Sequence, residues 1–182
     1  MSGKIISVIN QKGGVGKTTT VINFAAGLTM KKKKVLVIDL DPQGNATTGL
    51  GLSNTDSSGQ TIYSVLNGTK NVSEVIHKTK IENLDLITSN VDLSGLEVET
   101  AGDSRKAFIL KERIMAYLND SIAYYDYILI DCPPSLSLLT IMALVASNSL
   151  VVPLQTEFFA LEGLTQLMKT IDRVKNNLKK KI

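Results

Sequence analysis

The chain has 182 residues, 43% of them apolar and 20% charged, which suits one globular domain with a substantial core. With no Trp, five Tyr and four Phe, the composition argues against an aromatic platform for single-stranded nucleic acid. The single cysteine, Cys132, excludes an internal disulfide framework and fits a reducing compartment. Neither a secretory signal pattern nor an unbroken run of about 20 apolar residues is present. We expect one cytoplasmic domain over residues 1–182, without a membrane partner.

The formal net charge is +3, and positive charge is concentrated at one end. Residues 169–182 hold six basic residues and one acidic residue. Lysines suit the C-terminal end of a helix, so we interpret this segment as a solvated helix end. An anionic partner is the alternative interpretation.

Short apolar runs alternate with helical patterns along the chain. Buried strands are predicted at residues 5–10, 35–39, 84–88, 127–131 and 150–154. Helices are predicted at residues 18–30, 104–118, 138–147 and 161–179, with short helical pieces at 62–66 and 72–76 and a loop or broken helix at 41–59. This alternation predicts an α/β fold with a mostly parallel sheet covered on both faces.

A glycine-rich segment, KGGVGKTT, lies between the first predicted strand and the first predicted helix. Glycines let successive N–H groups surround phosphate oxygens, and the helix N-terminus adds its positive dipole end. Lys17 would reach the β and γ phosphates of a nucleotide, and the Thr18 hydroxyl would bind Mg²⁺. The predicted nucleotide-binding residues are Lys12, Gly13, Gly14, Val15, Gly16, Lys17, Thr18 and Thr19.

Acidic residues follow two further predicted strands. Asp39 and Asp41, in the segment DLDPQGNAT, stand where the γ-phosphate and metal lie in an open α/β sheet. Asp131 ends the strand YILID, where an acid can hold Mg²⁺ through water. The neighbouring Cys132 is interpreted as a small buried packing residue. The lone histidine, His77, has no ligand-type neighbour at suitable spacing and is expected on the surface.

The glycine-rich loop departs from the usual G-x-x-x-x-G-K-[ST] pattern, because Gln11 replaces the first glycine and a second lysine, Lys12, follows it. This loop, with DxDPQGNAT and DCPPS, resembles the deviant Walker A loop and the two switch segments of the ParA/MinD family. The segment QTEFFALEGL at residues 155–164 resembles the ParA proteins of the Soj type. The resemblance extends from residue 4 to about residue 175 and implies a three-layer P-loop NTPase fold, with the family's C-terminal strands missing.

The resemblance also assigns roles to individual residues. It implies that Lys12 reaches the partner subunit's phosphates across a nucleotide-sandwich dimer, much as an arginine finger acts in trans. It implies that Asp41 orients the attacking water and that Asp39 supports the water ligands of Mg²⁺. The expected catalytic residues are therefore Lys12, Lys17 and Asp41, and the expected metal-binding residues are Thr18, Asp39 and Asp131.

The partners implied by the resemblance are a second copy of the chain, a ParB-type protein and non-specific DNA on the nucleoid, with ATP and Mg²⁺ as cofactors. DNA binding is expected to be weak and to use residues 169–181. One alternative is a nucleotide-binding module without turnover. The other is a MinD-like membrane-cycling ATPase, which would need a C-terminal helix with a larger apolar face than this sequence offers.

Overall fold

The structure, a computed structural model, describes residues 3–53, 59–99, 104–120, 124–156 and 160–177. Its centre is a six-stranded sheet in the order β3-β4-β2-β5-β1-β6. The strands are β1 (Lys4–Val8), β2 (Val35–Asp39), β3 (Ile76–Lys78), β4 (Leu84–Ile87), β5 (Tyr127–Asp131) and β6 (Ser149–Val151). Every neighbouring pair is parallel except β3 with β4.

Seven helices cover the sheet in the described part of the chain. They are α1 (Lys17–Met30), α2 (Asn45–Gly49), α3 (Ile62–Leu66), α4 (Leu93–Glu99), α5 (Ile109–Asp120), α6 (Leu138–Ala146) and α7 (Ala160–Asn177). Two 3₁₀ turns lie at Val72–Glu74 and Ser104–Phe108. None of the helices in the described residues combines the length and apolar composition that a membrane-spanning helix requires.

The central strands are apolar on both sides because helices pack on both faces of a parallel sheet. All five residues of β2 are buried. On one face, Val21 and Ala25 of α1 pack with strand residues such as Leu129. On the other face, the core includes Ile114 of α5 and Met142 of α6. This arrangement confirms the predicted three-layer α/β fold with a mostly parallel sheet.

The predicted elements differ from the structure in a few places. The helical piece predicted at residues 72–76 is wrong at its end, because Ile76 begins β3 and pairs antiparallel with β4. The helix predicted from residue 104 starts as a 3₁₀ turn, and α4 was not predicted. Strand β6 has three residues where five were expected. The segment 41–59 contains α2, and its residues 54–58 lie outside the described part.

Parallel strands place their carboxyl ends at one edge of the sheet, which is called the carboxyl edge below. In the pairing register, Val8 lies beside Asp131 and Asp131 lies beside Asp39. The glycine-rich loop after β1 and the acidic residues after β2 and β5 therefore meet at this edge. The opposite, amino edge is formed by the first residues of the parallel strands.

Candidate active site

The loop between β1 and α1 curls because two of its glycines have left-handed backbone. Gly14 has φ of 75° and Gly16 has φ of 87°, a region that side chains with a Cβ disfavour. Gly16 is the N-cap of α1, and the first helical residue is Lys17. The loop thus leads directly into the N-terminus of a 14-residue helix, the position where backbone N–H groups and the helix dipole favour a phosphate.

Lys17 crosses this loop from the start of the helix. Its Nζ donates to the backbone oxygen of Lys12 at 3.0 Å, and the residue is only 7% exposed. Burial lowers the pKa of Lys17, whereas the nearby Asp131 and Asp41 carboxylates raise it. The site therefore holds a desolvated cation with its counter-charges close by. Such a cation interacts with a phosphate more strongly than an exposed lysine does.

Thr18 and Asp131 join the loop to the end of β5. The Thr18 hydroxyl donates to Asp131 Oδ2 at 2.7 Å. The other carboxylate oxygen, Oδ1, is buried and has no hydrogen-bond partner among the described residues. The pKa of Asp131 is raised to about 7, chiefly by burial and also by the nearby Asp39 and Asp41, while the Thr18 hydrogen bond and Lys17 oppose the rise. A buried oxygen without a partner, next to a hydroxyl, is suited to a cation or its water ligands.

These groups fit Mg²⁺ in the way that nucleotide sites bind it. Among the described residues, no three His, Cys, Asp or Glu side chains converge to hold a metal ion alone. Mg²⁺ in such sites typically takes one or two protein ligands and completes its octahedron with water and phosphate oxygens. Thr18 Oγ1 and Asp131 supply hard oxygen donors of the required kind. The donor set therefore matches a cation that is bound together with a nucleotide.

Asp39, beside Asp131, anchors the segment that follows β2. Its Oδ2 accepts hydrogen bonds from the backbone N–H and the hydroxyl of Thr47, each at 2.7 Å. Its Oδ1 accepts one from the backbone N–H of Asp41 at 3.2 Å. Burial raises the pKa of Asp39 to about 6 in spite of these three hydrogen bonds. In the structure, Asp39 fixes α2 and the backbone of Asp41, and its support of Mg²⁺ stays a prediction.

Asp41 lies at the same edge and is 7% exposed. Its Oδ1 accepts a hydrogen bond from the backbone N–H of Gln43 at 3.0 Å, which holds the carboxylate at the start of the turn before α2. Asp41 also contributes to the electrostatic field at Lys17 and Asp131. The structure thus brings together four of the predicted residues, namely Lys17, Thr18, Asp41 and Asp131, with Asp39 directly behind them.

The segment after β6 closes the other side of the loop. Gln155 Nε2 donates to the backbone oxygen of Gly14 at 3.1 Å. Gln11 Nε2 donates to the backbone oxygen of Gly163 in α7 at 2.9 Å, and Asn10 Nδ2 donates to that of Pro153 at 2.8 Å. Residues 157–159 of this segment lie outside the described part. No chemical role for this segment can be predicted from its residues, and the structure shows that it supports the glycine-rich loop.

The remaining predicted residues have simpler surroundings. Lys12 and Thr19 are exposed at the loop, and the backbone N–H of Lys12 donates to Asn10 Oδ1 at 3.0 Å. Cys132 is 1% exposed, which confirms it as a buried packing residue. His77 is half-buried rather than fully exposed, because its ring Nε2 lies 2.9 Å from the backbone oxygen of Gln60.

Sequence reasoning missed Thr47 and Ser89. The Thr47 hydroxyl donates to Asp39 and accepts from the backbone N–H of Ser89 at 3.1 Å. These hydrogen bonds link α2 to the end of β4, the strand next to β2. A threonine in a polar segment carries no signal for such a link, since the pairing of β2 with β4 is needed to recognise it.

The comparisons with known proteins agree with this geometry. The family described as AAA domain matches residues 3–182. The chromosome partitioning protein ParA of Myxococcus xanthus is 48% identical over 97% of this chain, and the sporulation initiation inhibitor protein Soj of Bacillus subtilis is also 48% identical over 97%. The chain spans 60% of the length of the first relative and 68% of the second.

A solved structure of a Mycobacterium smegmatis protein shares the fold. It is the cobyrinic acid a,c-diamide synthase with bound ATP analog and magnesium, and it aligns with a TM-score of 0.87 and 37% identity. The alignment covers 96% of this chain and 69% of the synthase.

Proposed function

The chain belongs to the ParA/Soj family of AAA-domain P-loop proteins, and from this membership and the site geometry we propose that it binds Mg-ATP, dimerises on ATP and hydrolyses it during DNA partition. The observation that carries the proposal is the meeting of Lys17, Thr18 and Asp131 at the end of the phosphate loop. Nucleotide and metal binding are assigned to this edge, in line with the ATP analog and magnesium of the synthase structure.

Lys17 and the loop would bind the phosphates. On nucleotide binding, the Lys17 ammonium would exchange its bond to the Lys12 carbonyl for bonds to β- and γ-phosphate oxygens. The N–H groups of residues 13–19 would surround the same oxygens. Thr18 and Asp131 would hold Mg²⁺, which when bound neutralises charge on the β and γ phosphates. All of these groups are supplied by one loop and one strand end.

Asp41 is proposed to position the water that attacks the γ-phosphate. The carboxylate interacts electrostatically with Lys17, and the hydrogen bond from the Gln43 N–H fixes its orientation. A positioned carboxylate can accept a hydrogen bond from water and align its lone pair for attack. Hydrolysis would release ADP and phosphate.

Lys12 is proposed to act on a second copy of the chain. Its side chain is exposed, while its backbone is fixed by Asn10 and Lys17. An exposed cation on a rigid loop beside the nucleotide can reach a partner subunit's phosphate when two carboxyl edges face each other. The proposed setting is the cytoplasm, where a ParB-type protein and non-specific DNA of the nucleoid would be the further partners of the dimer.

Isothermal calorimetry with Mg-ATP, together with a phosphate-release assay, tests the proposal. Wild type is expected to bind and hydrolyse ATP, and Lys17→Ala is expected to lose detectable binding because the phosphates lose their buried cation. Lys111→Ala, on α5, is the control and should match wild type. Equal ATP affinity for Lys17→Ala and wild type would contradict the site. Binding without phosphate release would support a nucleotide-binding module without turnover instead.

A further inference from the structure

The segment that follows β6 runs alongside the start of the glycine-rich loop, beyond the end of the sheet. Strand β6 pairs with β1 as far as Val151, and the backbone N–H of Ile9 donates to the Val151 oxygen at 3.0 Å. The next contact is made by a side chain, since Asn10 Nδ2 donates to the backbone oxygen of Pro153 at 2.8 Å. The two parts of the chain therefore stay side by side after the last strand residue.

Gln155 lies two residues after Pro153 and reaches the middle of the loop. Its Nε2 donates to the backbone oxygen of Gly14 at 3.1 Å, across 141 positions of the sequence. Because Asn10 holds the backbone at Pro153, the place from which the Gln155 side chain starts is set by the fold. The Gln155 amide is thus presented to the loop by a segment that is itself anchored.

A second anchor lies on the other side of Gln155. Gln11 Nε2 donates to the backbone oxygen of Gly163 at 2.9 Å. A Cβ added at Gly163 would lie 3.1 Å from the same nitrogen, a separation tight enough that the close approach of α7 to the loop favours glycine there. The residues on both sides of Gln155 are therefore tied to the loop.

Packing does little to hold the part of the loop that Gln155 contacts. A Cβ added at Gly14 or at Gly16 would meet no atom within 4 Å, so the space around both is open. Gly14 is exposed and has φ of 75°, and glycine has the widest choice of backbone conformations. The orientation of the peptide groups at Gly14 therefore depends on hydrogen bonds.

The bond from Gln155 fixes the direction of one of these peptide groups. Because a peptide group is planar and trans, the carbonyl of Gly14 and the N–H of Val15 point in opposite directions. The carbonyl points towards Gln155, so the Val15 N–H points away from it. Within the described part of the chain, this N–H donates to no other group. It is therefore a free donor with a fixed direction.

A free donor with a fixed direction suits a phosphate oxygen. Loops of this kind bind phosphate through backbone N–H groups that point at the anion, and binding is stronger when such groups are oriented in advance. Val15 lies two residues before the buried Lys17, in the loop that leads into α1. Without the bond from Gln155, the peptide group can rotate at Gly14, and ordering it on binding costs conformational entropy.

We propose that Gln155 is a positioning residue for phosphate binding and acts through the Gly14–Val15 peptide group. The inference rests on the proposed nucleotide site and adds to it a residue from outside the glycine-rich motif. In this role the Gln155 amide touches no phosphate. Because the backbone N–H groups of such loops hold the α and β phosphates, the effect extends to every ligand that carries a diphosphate group, including ADP, ATP and inorganic pyrophosphate.

A direct contact between Gln155 and the base of the nucleotide is the competing interpretation. A cavity of about 210 Å³ beside the loop is lined by Gln155, Leu154 and Gln11, among others. The existing bond from the Gln155 amide to Gly14 favours the positioning role. Pyrophosphate separates the two interpretations, because it has the diphosphate group and no base.

Isothermal calorimetry with Mg-ADP, and with pyrophosphate in competition with ADP, compares Gln155→Ala with wild type. One neutral hydrogen bond changes an equilibrium constant by about threefold to tenfold. Gln155→Ala is expected to weaken both ligands by about this factor, and to raise KM for ATP without lowering kcat, because the lost interaction is the same in the ground state and the transition state. Gln166→Ala, at an exposed glutamine of α7, is the control and should match wild type.

A second variant guards against an effect of side-chain size. Gln155→Glu keeps the length of the side chain, but an ionised carboxylate cannot donate to the Gly14 carbonyl. It should weaken ADP and pyrophosphate at least as much as Gln155→Ala does. The thermal midpoint without ligand should match wild type in both variants, because Gln155 is exposed.

A loss of ADP affinity without a loss of pyrophosphate affinity would overturn the inference and assign Gln155 to the base or ribose. Unchanged affinity for both ligands would overturn it as well, since the peptide group would then keep its direction without the side chain. A lower kcat with unchanged KM would instead place Gln155 in the hydrolysis step. A wild type that binds neither ligand would contradict the proposed function, and this result is distinguishable because it needs no variant.

Discussion

At Asp131, the features that suit a cation site reduce the stability of the protein when no metal is bound. The carboxylate is buried, lies next to Asp39, and has one oxygen without a partner among the described residues. Burial raises its pKa to about 7, well above the ordinary value for an aspartate. A raised carboxyl pKa means that the folded state binds the proton more tightly than the unfolded state does. The stabilisation from this proton is complete below about pH 4 and is lost as the pH rises through 7.

The variant Asp131→Asn should therefore be more stable than wild type at high pH. Without metal or nucleotide, we expect its free energy of unfolding to exceed that of wild type by about 1–3 kcal/mol at pH 8. The difference should shrink at pH 5, where wild type is largely protonated. Urea titrations in EDTA at the two pH values measure it, with the exposed Asp172→Asn as the control. A difference that does not change with pH would show that Asp131 is ionised in the folded state throughout this range.

At the scale of single residues, the sequence predicts groups that belong to a contiguous motif. The loop residues and Asp131 can be identified because spacing and strand context define their chemistry. Thr47 and Gln155 cannot, since each acts through a hydrogen bond to a distant part of the chain. The anchoring bonds of Asp39 were missed for the same reason, because they depend on where α2 folds back.

Among the elements, α2 determines where Asp41 lies. This helix has five residues, too few to be stable alone. Its position is fixed by Thr47, which bonds Asp39 and Ser89 and is completely buried. The neighbouring Thr48 is exposed, and its hydroxyl donates to the backbone oxygen of Gly44, the residue that caps the same helix. The two threonines therefore form a matched pair for testing how α2 is held.

The variant Thr47→Val keeps the side-chain shape and removes both hydrogen bonds. It should lower the free energy of unfolding by about 1–3 kcal/mol, because a buried carboxylate and a buried N–H each lose a partner. Thr48→Val should cost less than about 0.5 kcal/mol. Chemical denaturation of both variants measures the comparison. Equal effects would mean that α2 is held by its backbone and packing and not by the Thr47 hydroxyl.

Long, strongly patterned elements are the ones that the sequence predicts well. Strands β2 and β5 are continuous apolar runs, and α1 and α7 have clear helical spacing. The short antiparallel strand β3 was not predicted, and its first residue, Ile76, was assigned to a helical piece, because the three residues of β3 owe their conformation to pairing with β4. Helix α4 was missed, since seven residues with Gly95 in the middle give a weak helical signal.

For the whole molecule, the parallel order of the strands determines which residues gather at each edge of the sheet. It places the glycine-rich loop and the acidic residues after β2 and β5 at the carboxyl edge. It places the lysines of residues 31–34 and 78–80 at the amino edge. The first grouping was predictable, because a motif marks each strand end. The second was not, since residues 31–34 and 78–80 are distant in sequence and only the sheet order makes them neighbours.

The proposed function requires ATP to bring the carboxyl edges of two copies face to face, with Lys12 of each copy reaching the other's nucleotide. Sedimentation velocity in Mg-ATP and in Mg-ADP tests it most directly. Wild type is expected to sediment as a dimer with ATP and as a monomer with ADP. Lys12→Ala is expected to stay monomeric with ATP while binding ADP normally. A Lys12→Ala protein that dimerises with ATP as strongly as wild type, or a wild type whose mass ignores the nucleotide, would contradict it.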